Sequence, residues 1–509
     1  MVLFGILTLL AILALFLFLK LIFSWWISPI LRNRMLHRCG FQGPPPNFPF
    51  GNVLEMKKKN GFHSSFGSSK LTHDIHSFVF PYFSRWQNSH GKVFIYWLGT
   101  EPFLYIADPE FLKKMSTEVI AKRWGKPNVF KNDREPMFGK GLVMAEGNEW
   151  VYHRHLIAPT FSPLNLKEMS SMMVESTKKM MDRWITRINP GGNLEIDIER
   201  EIFATSGEII ASTSMGIDDE NARTICEKLR TLKMRLFKTR YVGVPFIEFI
   251  DIKRTIEAKK LGKEIDKLLL CIIETRKESK VERKGRVDLL DLLLDENENY
   301  GKRLSTKQLV DECKTFFFAG LDTSALAISW TLMLLAMNED WQNQLRDEIK
   351  DVVGDKEVDI NVIAGLKKMK CVMNEVLRLY PSAPNLQRQA REDIKFGNLT
   401  IPNGTNMWID VVAMHHDPLL WGENVNEFQP ERFMGDINGG CNQKMGYLPF
   451  GFGGRMCLGR NLSFMEHKIV LTLLLSRFRF KMSPTYIHSP SIMLSLRPAY
   501  GLPLIVQSI

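Results

Sequence analysis

One cysteine, Cys457, sits in the stretch Phe450-Gly451-Phe452-Gly453-Gly454-Arg455-Met456-Cys457-Leu458-Gly459, two residues after an arginine and just before a helix-like run, Asn461 to Ser476. Glycines ahead of a cysteine let the backbone turn back beneath the sulfur, so that amide N–H groups face a thiolate. The start of the next helix adds positive partial charge on that side and favours S⁻ over SH. Such a cysteine suits metal ligation. Three other readings compete. One is a small buried hydrophobe. Another is a phosphate cradle, but neither G-x-x-x-x-G-K-[ST] nor G-x-G-x-x-G spacing is present. The third is a zinc ligand, but Cys441 and His467 lie too far along the chain.

Three more groups have spacing that could serve chemistry. Trp150 and Arg154, within Gly147-x-x-Trp150-x-x-x-Arg154-x-x-x-x-Pro159-x-Phe161, are four apart and share a helix face. An indole N–H beside a guanidinium can clamp a carboxylate; a surface cation–π pair is the plainer reading. Ser305-Thr306-Lys307-Gln308 is a capping box that opens a helix to about Met337, about 48 Å long. Its centre, Phe316-Phe317-Phe318-Ala319-Gly320-Leu321-Asp322-Thr323-Ser324, sets an acid and hydroxyls among apolar residues. Thr bonds back to a carbonyl and Gly weakens a helix, so a groove and a local opening of the ladder are expected. The plainer alternative is a buried helix with a solvated Asp. Glu375 and Arg378 form an i,i+3 pair in the helical run Asn361 to Leu379, worth roughly a few tenths of a kcal/mol on a solvated helix.

The pattern F-x-x-G-x-R-x-C-x-G fixes five positions. A chance match in a chain this long is about one in ten thousand at roughly 5% usage per residue type. This stretch resembles the haem-binding loop of the cytochrome P-450 haem–thiolate monooxygenases. Ala319-Gly320-x-Asp322-Thr323 is similar to the family's oxygen-binding segment. Glu375-x-x-Arg378 followed by Pro430-Glu431-Arg432-Phe433 resembles its Glu–Arg–Arg lock, and Arg388-x-Ala390 its propionate-binding strand. Asp311 to Phe318 and Phe452 to Arg455 look like the plant clan that includes cytokinin hydroxylases, gibberellin-oxidising enzymes and terpenoid hydroxylases.

The resemblance implies a mainly helical haem–thiolate fold with a small β region. Cys457 would be the proximal ligand of haem b (iron protoporphyrin IX), on a loop shared with Phe450 and Gly459. A thiolate ligand favours O–O cleavage. Trp150, Arg154, Arg388 and Arg455 would bind the propionates. Ala319 and Gly320 would leave room for dioxygen, Thr323 would hydrogen-bond it during activation, and Asp322 would feed protons through water. Leu321-Asp322 stands where many plant relatives have His-Glu, which keeps the acid on a shorter arm. Glu375, Arg378 and Arg432 would be structural. The pocket would be lined from residues 115 to 140, 215 to 245, Phe317, Leu321, Ser382 to Leu386 and the tail. The implied reaction is hydroxylation of a lipophilic small molecule, hormone-like or terpenoid, with O2 and electrons from NADPH. NADPH–cytochrome P-450 reductase would deliver them, with cytochrome b5 as a further donor, because the chain has no dinucleotide fingerprint. A haem–thiolate isomerase or dehydratase, and a membrane-anchored haem sensor, are the alternatives.

The remaining sequence is compatible. The chain has 509 residues, 45% hydrophobic and 24% charged, which is globular composition. The formal net charge of +11 comes from cations mixed with acids along the chain, so an anionic membrane or an acidic partner is favoured over nucleic acid. Cys39, Cys226, Cys271, Cys313, Cys371, Cys441 and Cys457 are odd in number and irregularly spaced, which points to a reducing compartment. Residues 2 to 19 are apolar apart from Thr8, and Leu21 to Ile27 extend the run past Lys20. Trp25 and Trp26 then suit an interfacial belt, and Arg32, Arg34 and Arg38 place the following chain on the cytosolic side. The expected organisation is an anchor (1–30), a basic and proline-rich stiff linker (31–52) and a catalytic domain (53–509), in the endoplasmic reticulum membrane as a single-pass protein. Lys92 to Leu98 and Phe103 to Ala107 read as a hairpin, residues 108 to 140 as irregular, Leu164 to about Thr275 as largely helical, Glu278 to Val287 as a charged loop, and Ser491 to Val506 as β-hairpins.

Overall fold

The computed structural model describes residues 2–57, 72–118, 123–188, 192–217, 219–237, 242–245, 252–278, 288–291, 293–294, 304–397 and 399–509. Helix α1 (Val2–Ile22) passes through a π-turn (Phe23–Ile27) into α2 (Ser28–Arg38). α1 is about 32 Å long at 1.5 Å per residue, matching a hydrocarbon core, and its apolar side chains are exposed. It is consistent with a membrane anchor. α2 docks on the domain: Pro29 and Leu36 are buried, and Trp97 Nε1 donates to Asn33 Oδ1 at 3.1 Å. The proline-rich stretch, expected as a stiff spacer, lies along the first hairpin. Ile95 N–H donates to Gln42 O (2.8 Å), and Asn52 exchanges bonds with Trp97, giving N–H to its carbonyl (2.8 Å) and accepting at Oδ1 (2.9 Å).

The hairpin is β1 (Val93–Leu98) and β2 (Glu101–Ile106), turned at Gly99, whose φ of +60° suits glycine. With β3 (Trp124–Gly125), β5 (Asn385–Ala390) and β6 (Asn406–Asp410) it makes a sheet of order β1-β2-β6-β5-β3. Phe94, Tyr105, Trp408 and Gln387 lie in one row across it. β4 (Asn193–Asp197) breaks the region expected as helical; it pairs with β10 (Pro503–Ser508), which also pairs with β7 (Phe478–Met482). β8 (Pro490–Met493) and β9 (Ser495–Pro498) form the tail hairpin. Its turn holds Leu494 at φ +67°, an outlier for a bulky residue. The segment expected to be irregular contains helices Pro109–Glu118 and Lys131–Phe138.

Around the sheet lie α3 (Gly147–Ile157), α4 (Ile198–Met215), α5 (Asp219–Phe237), α6 (Thr306–Met337), α7 (Lys367–Leu379) and α8 (Arg460–Arg477). The Ser305 capping box is formed as expected, with the Gln308 side chain returning to the Ser305 N–H. α6 is buried along nearly its whole length. Trp330 fixes it: the indole stacks on Tyr380 at 4.5 Å and donates to Leu496 O at 3.1 Å. The run expected as one helix from Asn361 to Leu379 is divided. Ile360–Ala364, capped by Asp359, ends before α7 begins at Lys367. Beyond Glu278, the expected charged loop lies outside the described residues as far as Val287.

Candidate active site

A cavity of about 340 Å³ lies between the middle of α6 and the Cys457 loop, with α3 and β5 completing its wall. Trp150, Arg154, Ala319, Gly320, Thr323, Arg388, Phe450, Arg455, Cys457 and Gly459 all face it. The Cys457 N–H donates to Phe450 O at 2.9 Å and closes the loop. Gly451 and Gly453 take φ of +75° and +61°, so two of the glycines make the turn. The Gly459 N–H is directed at the sulfur. Burial nevertheless pushes the thiol up, against the opposing effects of that N–H and of Arg154. The Cys457 side chain is nonetheless exposed on the cavity wall, within reach of a group that fills the cavity. A coordinated metal ion would supply the missing positive charge.

The rim of the cavity is cationic. Buried Arg388 gives one N–H to Gln387 O at 3.0 Å, and burial lowers it to about 10. Arg455 donates to Ala145 O (2.9 Å) and Trp124 O (2.8 Å), and its guanidinium lies 4.3 Å from the Trp150 ring centre. Burial, and next the charge of Arg388, lower it to about 9. Arg154 donates to Met456 O at 3.0 Å and stands 5.7 Å from the same ring. The cation–π reading of Trp150 and Arg154 is thus met, and both side chains line the cavity. Lys126 lines the cavity too and was not singled out from sequence, where it is one lysine among many. Burial, then Arg388, Arg134 and Arg455, hold its ammonium well below the usual range. The adjacent acid, Glu146, is committed to Arg391 (2.7 Å) and Lys131 (3.1 Å). Cations that depress one another on a cavity wall fit a ligand with two carboxylates, as haem has. Arg388→Leu is expected to speed haem loss to a scavenging acceptor protein by about 10- to 100-fold, the loss of one charge-assisted hydrogen bond; an unchanged rate would contradict this placement.

The α6 centre departs from expectation in three ways. Thr323 Oγ1 donates to Ala319 O at 2.6 Å, yet the helix runs unbroken, so the ladder does not open. A methyl at Gly320 would overlap Ile210 Cδ1 of α4. The glycine therefore permits the α4–α6 approach as well as lining the cavity. Asp322, one residue and hence about 100° from Thr323, does not line the cavity. Its carboxylate takes Lys233 Nζ at 2.7 and 2.8 Å and the Ser495 hydroxyl. It is buried and ion-paired, not solvated. The acid that does face the cavity is Glu466 of α8, with Ser206 Oγ donating at 2.8 Å. Burial pushes it up to about 7, against the Ser206 and Ser324 hydroxyls. No motif reading pointed to Glu466, because its significance lies in which helix it faces. Phe316, not Phe317 or Leu321, lines the cavity, alongside Ser382, Ala383 and Leu386.

Residues 42–499 match the family model Cytochrome P450. The chain belongs to the cytochrome P450 family. It is similar to a cytokinin hydroxylase of Arabidopsis thaliana, 36% identical over 491 residues that cover 95% of this chain and 94% of the relative. Cytochrome P450 714A2 of the same plant is 35% identical over 486 residues (92% of each), and cytochrome P450 714C2 of Oryza sativa subsp. japonica is 32% identical over 494 (95% and 94%). This P450 is a hydroxylating monooxygenase with haem iron as its cofactor, and the family works with redox partners on lipophilic substrates.

In this P450 the Glu–Arg–Arg lock is formed unevenly. Arg378 grips Glu375 with two bonds, 2.7 and 2.8 Å, and reaches His415 O (3.0 Å), Val425 O (2.7 Å) and Glu427 O (3.2 Å). Glu375 Oε1 also takes the Gln429 N–H at 3.0 Å. Arg432 Nε stands 3.5 Å from Glu375 without a hydrogen bond; its other nitrogens bind Trp421 O (3.1 Å) and Asn424 O (2.6 Å). The lock ties α7 to the irregular chain that leads to the Cys457 loop.

Proposed function

We propose that the protein is a hydroxylase of a lipophilic, hormone-like or terpenoid small molecule, anchored by α1 in the endoplasmic reticulum membrane with its catalytic domain in the cytosol. Electrons come from NADPH through a separate reductase, with cytochrome b5 as a second donor. The observation that carries this reading is one cavity with a thiol at one wall, a helix hydroxyl at the other and a ring of cations at its edge. The relatives named cytokinin hydroxylase support a hormone-like substrate. Co-expression with a plant reductase, followed by profiling of which hydrophobic metabolites gain one oxygen, tests it. Conversion of a candidate with no gain of oxygen and no dependence on NADPH would contradict it and favour the isomerase or dehydratase.

In this reading Cys457 Sγ ligates the iron, and Gly459 N–H and Arg154 steady its negative charge. Trp150, Arg154, Arg388, Arg455 and Lys126 hold the two propionates. When bound, haem supplies the oxygen-activating chemistry. Thr323 Oγ1 keeps its hydrogen on Ala319 O and can turn it toward the cavity. Glu466 holds a proton near neutral pH and passes it along the Ser324 and Ser463 hydroxyls, which lie 3.4 Å apart on the cavity wall. Asp322 instead locks α6 to α5 and the β8–β9 hairpin through Lys233 and Ser495.

Two outcomes follow. Thr323→Ala should release peroxide in place of product while substrate binding persists; unchanged coupling would count against the hydroxyl. Glu466 titrates near 7 in the fold and near 4.5 when unfolded. Between those values the unfolded chain has lost a proton that the folded one keeps. Stability therefore falls as pH rises through this window, by about 3 kcal/mol. Glu466→Gln should remove that fall in urea denaturation at pH 5 and pH 8; equal slopes for both proteins would contradict a protonated Glu466.

A further inference from the structure

The stacked pair that fixes α6 belongs to a longer row of side chains leading from the active-site cavity toward the surface. Ala327 of α6 and Leu377 of α7 line that cavity. Trp330 and Tyr380 each stand three residues further along the chain, about one helical turn, and both are fully buried. Their rings stack at 4.5 Å with planes 20° apart. The Tyr380 phenol then meets two buried imidazoles: His73 Nδ1 lies 2.7 Å from its Oη and His488 Nε2 lies 3.4 Å from it. The other ring nitrogen of His488, Nδ1, lies 2.8 Å from Oη of Tyr486. Tyr486 is half-buried, between exposed Thr485 and Ile487.

Holding α6 in place accounts for the Trp330–Tyr380 stack but not for the imidazoles, since a buried phenol is satisfied by one partner. Burial, then His488, His416 and Arg378, lower His73 to about 3, and burial lowers His488 to about 4. Both rings are therefore neutral, and each presents one unprotonated nitrogen. Burial, then Tyr486, raises Tyr380 well above the usual phenol range, so the phenol does not ionise by itself. Removal of an electron from the ring changes that. An oxidised phenol is so strong an acid that even a weakly basic imidazole takes its proton, and His73 Nδ1 is already in hydrogen-bond contact. The geometry is that of a phenol prepared to lose an electron and a proton together.

We propose that Trp330, Tyr380 and Tyr486 carry one-electron oxidising equivalents out of the active-site cavity when no substrate consumes them, so that Tyr380 becomes a radical and small reductants of the ascorbate class are oxidised at Tyr486. This rests on haem filling that cavity. Trp330 gives one electron to the oxidant generated there, which is reduced by one electron. Tyr380 refills Trp330, and its phenol proton moves to His73 Nδ1, which leaves a neutral tyrosyl radical beside an imidazolium. Tyr486 then gives an electron to Tyr380, which takes its proton back from His73, while the Tyr486 proton passes to His488 Nδ1. Ascorbate gives an electron to Tyr486, whose proton returns from His488, and releases its own proton to water.

The test uses the full-length haem protein in lipid nanodiscs, without substrate or reductase. Peracetic acid oxidises the haem directly, and samples frozen within milliseconds are read by electron paramagnetic resonance. Wild type should show a tyrosyl signal that narrows when the protein carries ring-deuterated tyrosine. Tyr380→Phe, which removes one oxygen atom, should lower that signal at least fivefold, and Trp330→Phe severalfold. Tyr486→Phe should keep the signal and slow its decay on added ascorbate at least threefold. All three variants should keep the wild-type haem spectrum; if Tyr380→Phe fails to load haem, Trp330→Phe decides alone. The proposal is overturned if haem-loaded wild type forms no tyrosyl radical, or if the haem-loaded Tyr380→Phe or Trp330→Phe protein gives the wild-type signal. A wild type that takes up no haem contradicts the reading of the cavity, and this proposal with it, and is told apart by its absorption spectrum before peracid is added.

Discussion

Replacing Cys457 by alanine is expected to abolish product formation and to remove the thiolate signature of the bound haem. Among the described residues no other cysteine lines the cavity. Cys226 and Cys313 are buried elsewhere, and burial drives their thiols up, Cys226 to about 12. No substitute ligand of the same kind is within reach. The loop itself should survive, since its closing bond runs from the Cys457 backbone N–H to Phe450 O and does not use the sulfur. The propionate cations also remain, so weak haem uptake should persist without oxygenation. A ligand that binds only the folded state raises its stability in proportion to the logarithm of its affinity. The rise in melting temperature on haem addition should therefore shrink in Cys457→Ala, while the haem-free melting temperature changes little. An unchanged rise would mean that the sulfur contributes nothing to haem affinity.

Arg378→Ala is expected to have the largest effect on folding. Arg378 and Glu375 are both fully buried, and removing the arginine strands a buried carboxylate along with three backbone carbonyls. Breaking a buried pair in this way costs about 3–5 kcal/mol. Arg432→Ala should cost less, about 1–2 kcal/mol, because it forfeits its bonds to Trp421 O and Asn424 and a 3.5 Å ion contact with Glu375, while Glu375 keeps both bonds from Arg378. Urea denaturation midpoints of the haem-loaded proteins separate the two. Equal losses would mean that Arg432 shares the lock evenly. The damage from Arg378 should also reach the site, since His415, whose carbonyl Arg378 holds, accepts the Leu448 N–H at Nε2 (2.9 Å) just before the Cys457 loop.

What was legible in the sequence was what motif spacing encodes locally. Cys457 with its glycines, the Ser305 box, the β1–β2 hairpin and the Glu375–Arg378 pair are all set within a few residues, and all are found. What was not legible depended on how helices face one another. Asp322 and Thr323 are adjacent in sequence, so a motif treats them as a unit. A helix turns them apart, and Lys233, distant in the chain, takes the acid. Gly320 read as space for a ligand, and it does line the cavity, but it also admits Ile210 of α4, a contact the sequence does not announce. Glu466 and Lys126 carry no local signal, since each acquires its character from burial beside groups on other elements. β4 was missed because its five residues, half polar, pair only with a strand more than three hundred positions later. The short linker looked stiff from its prolines, but its backbone is fastened to the hairpin by bonds that composition does not reveal.

The central claim is that Cys457 holds haem iron as a thiolate beneath α6. The most direct measurement is the difference spectrum of the reduced wild-type protein with carbon monoxide, recorded in membranes. The predicted result is an absorption maximum at the position characteristic of thiolate-ligated haem, lost in Cys457→Ala. A maximum at the position of histidine-ligated haem in correctly folded wild type, or a thiolate-type maximum that persists in Cys457→Ala, would contradict it.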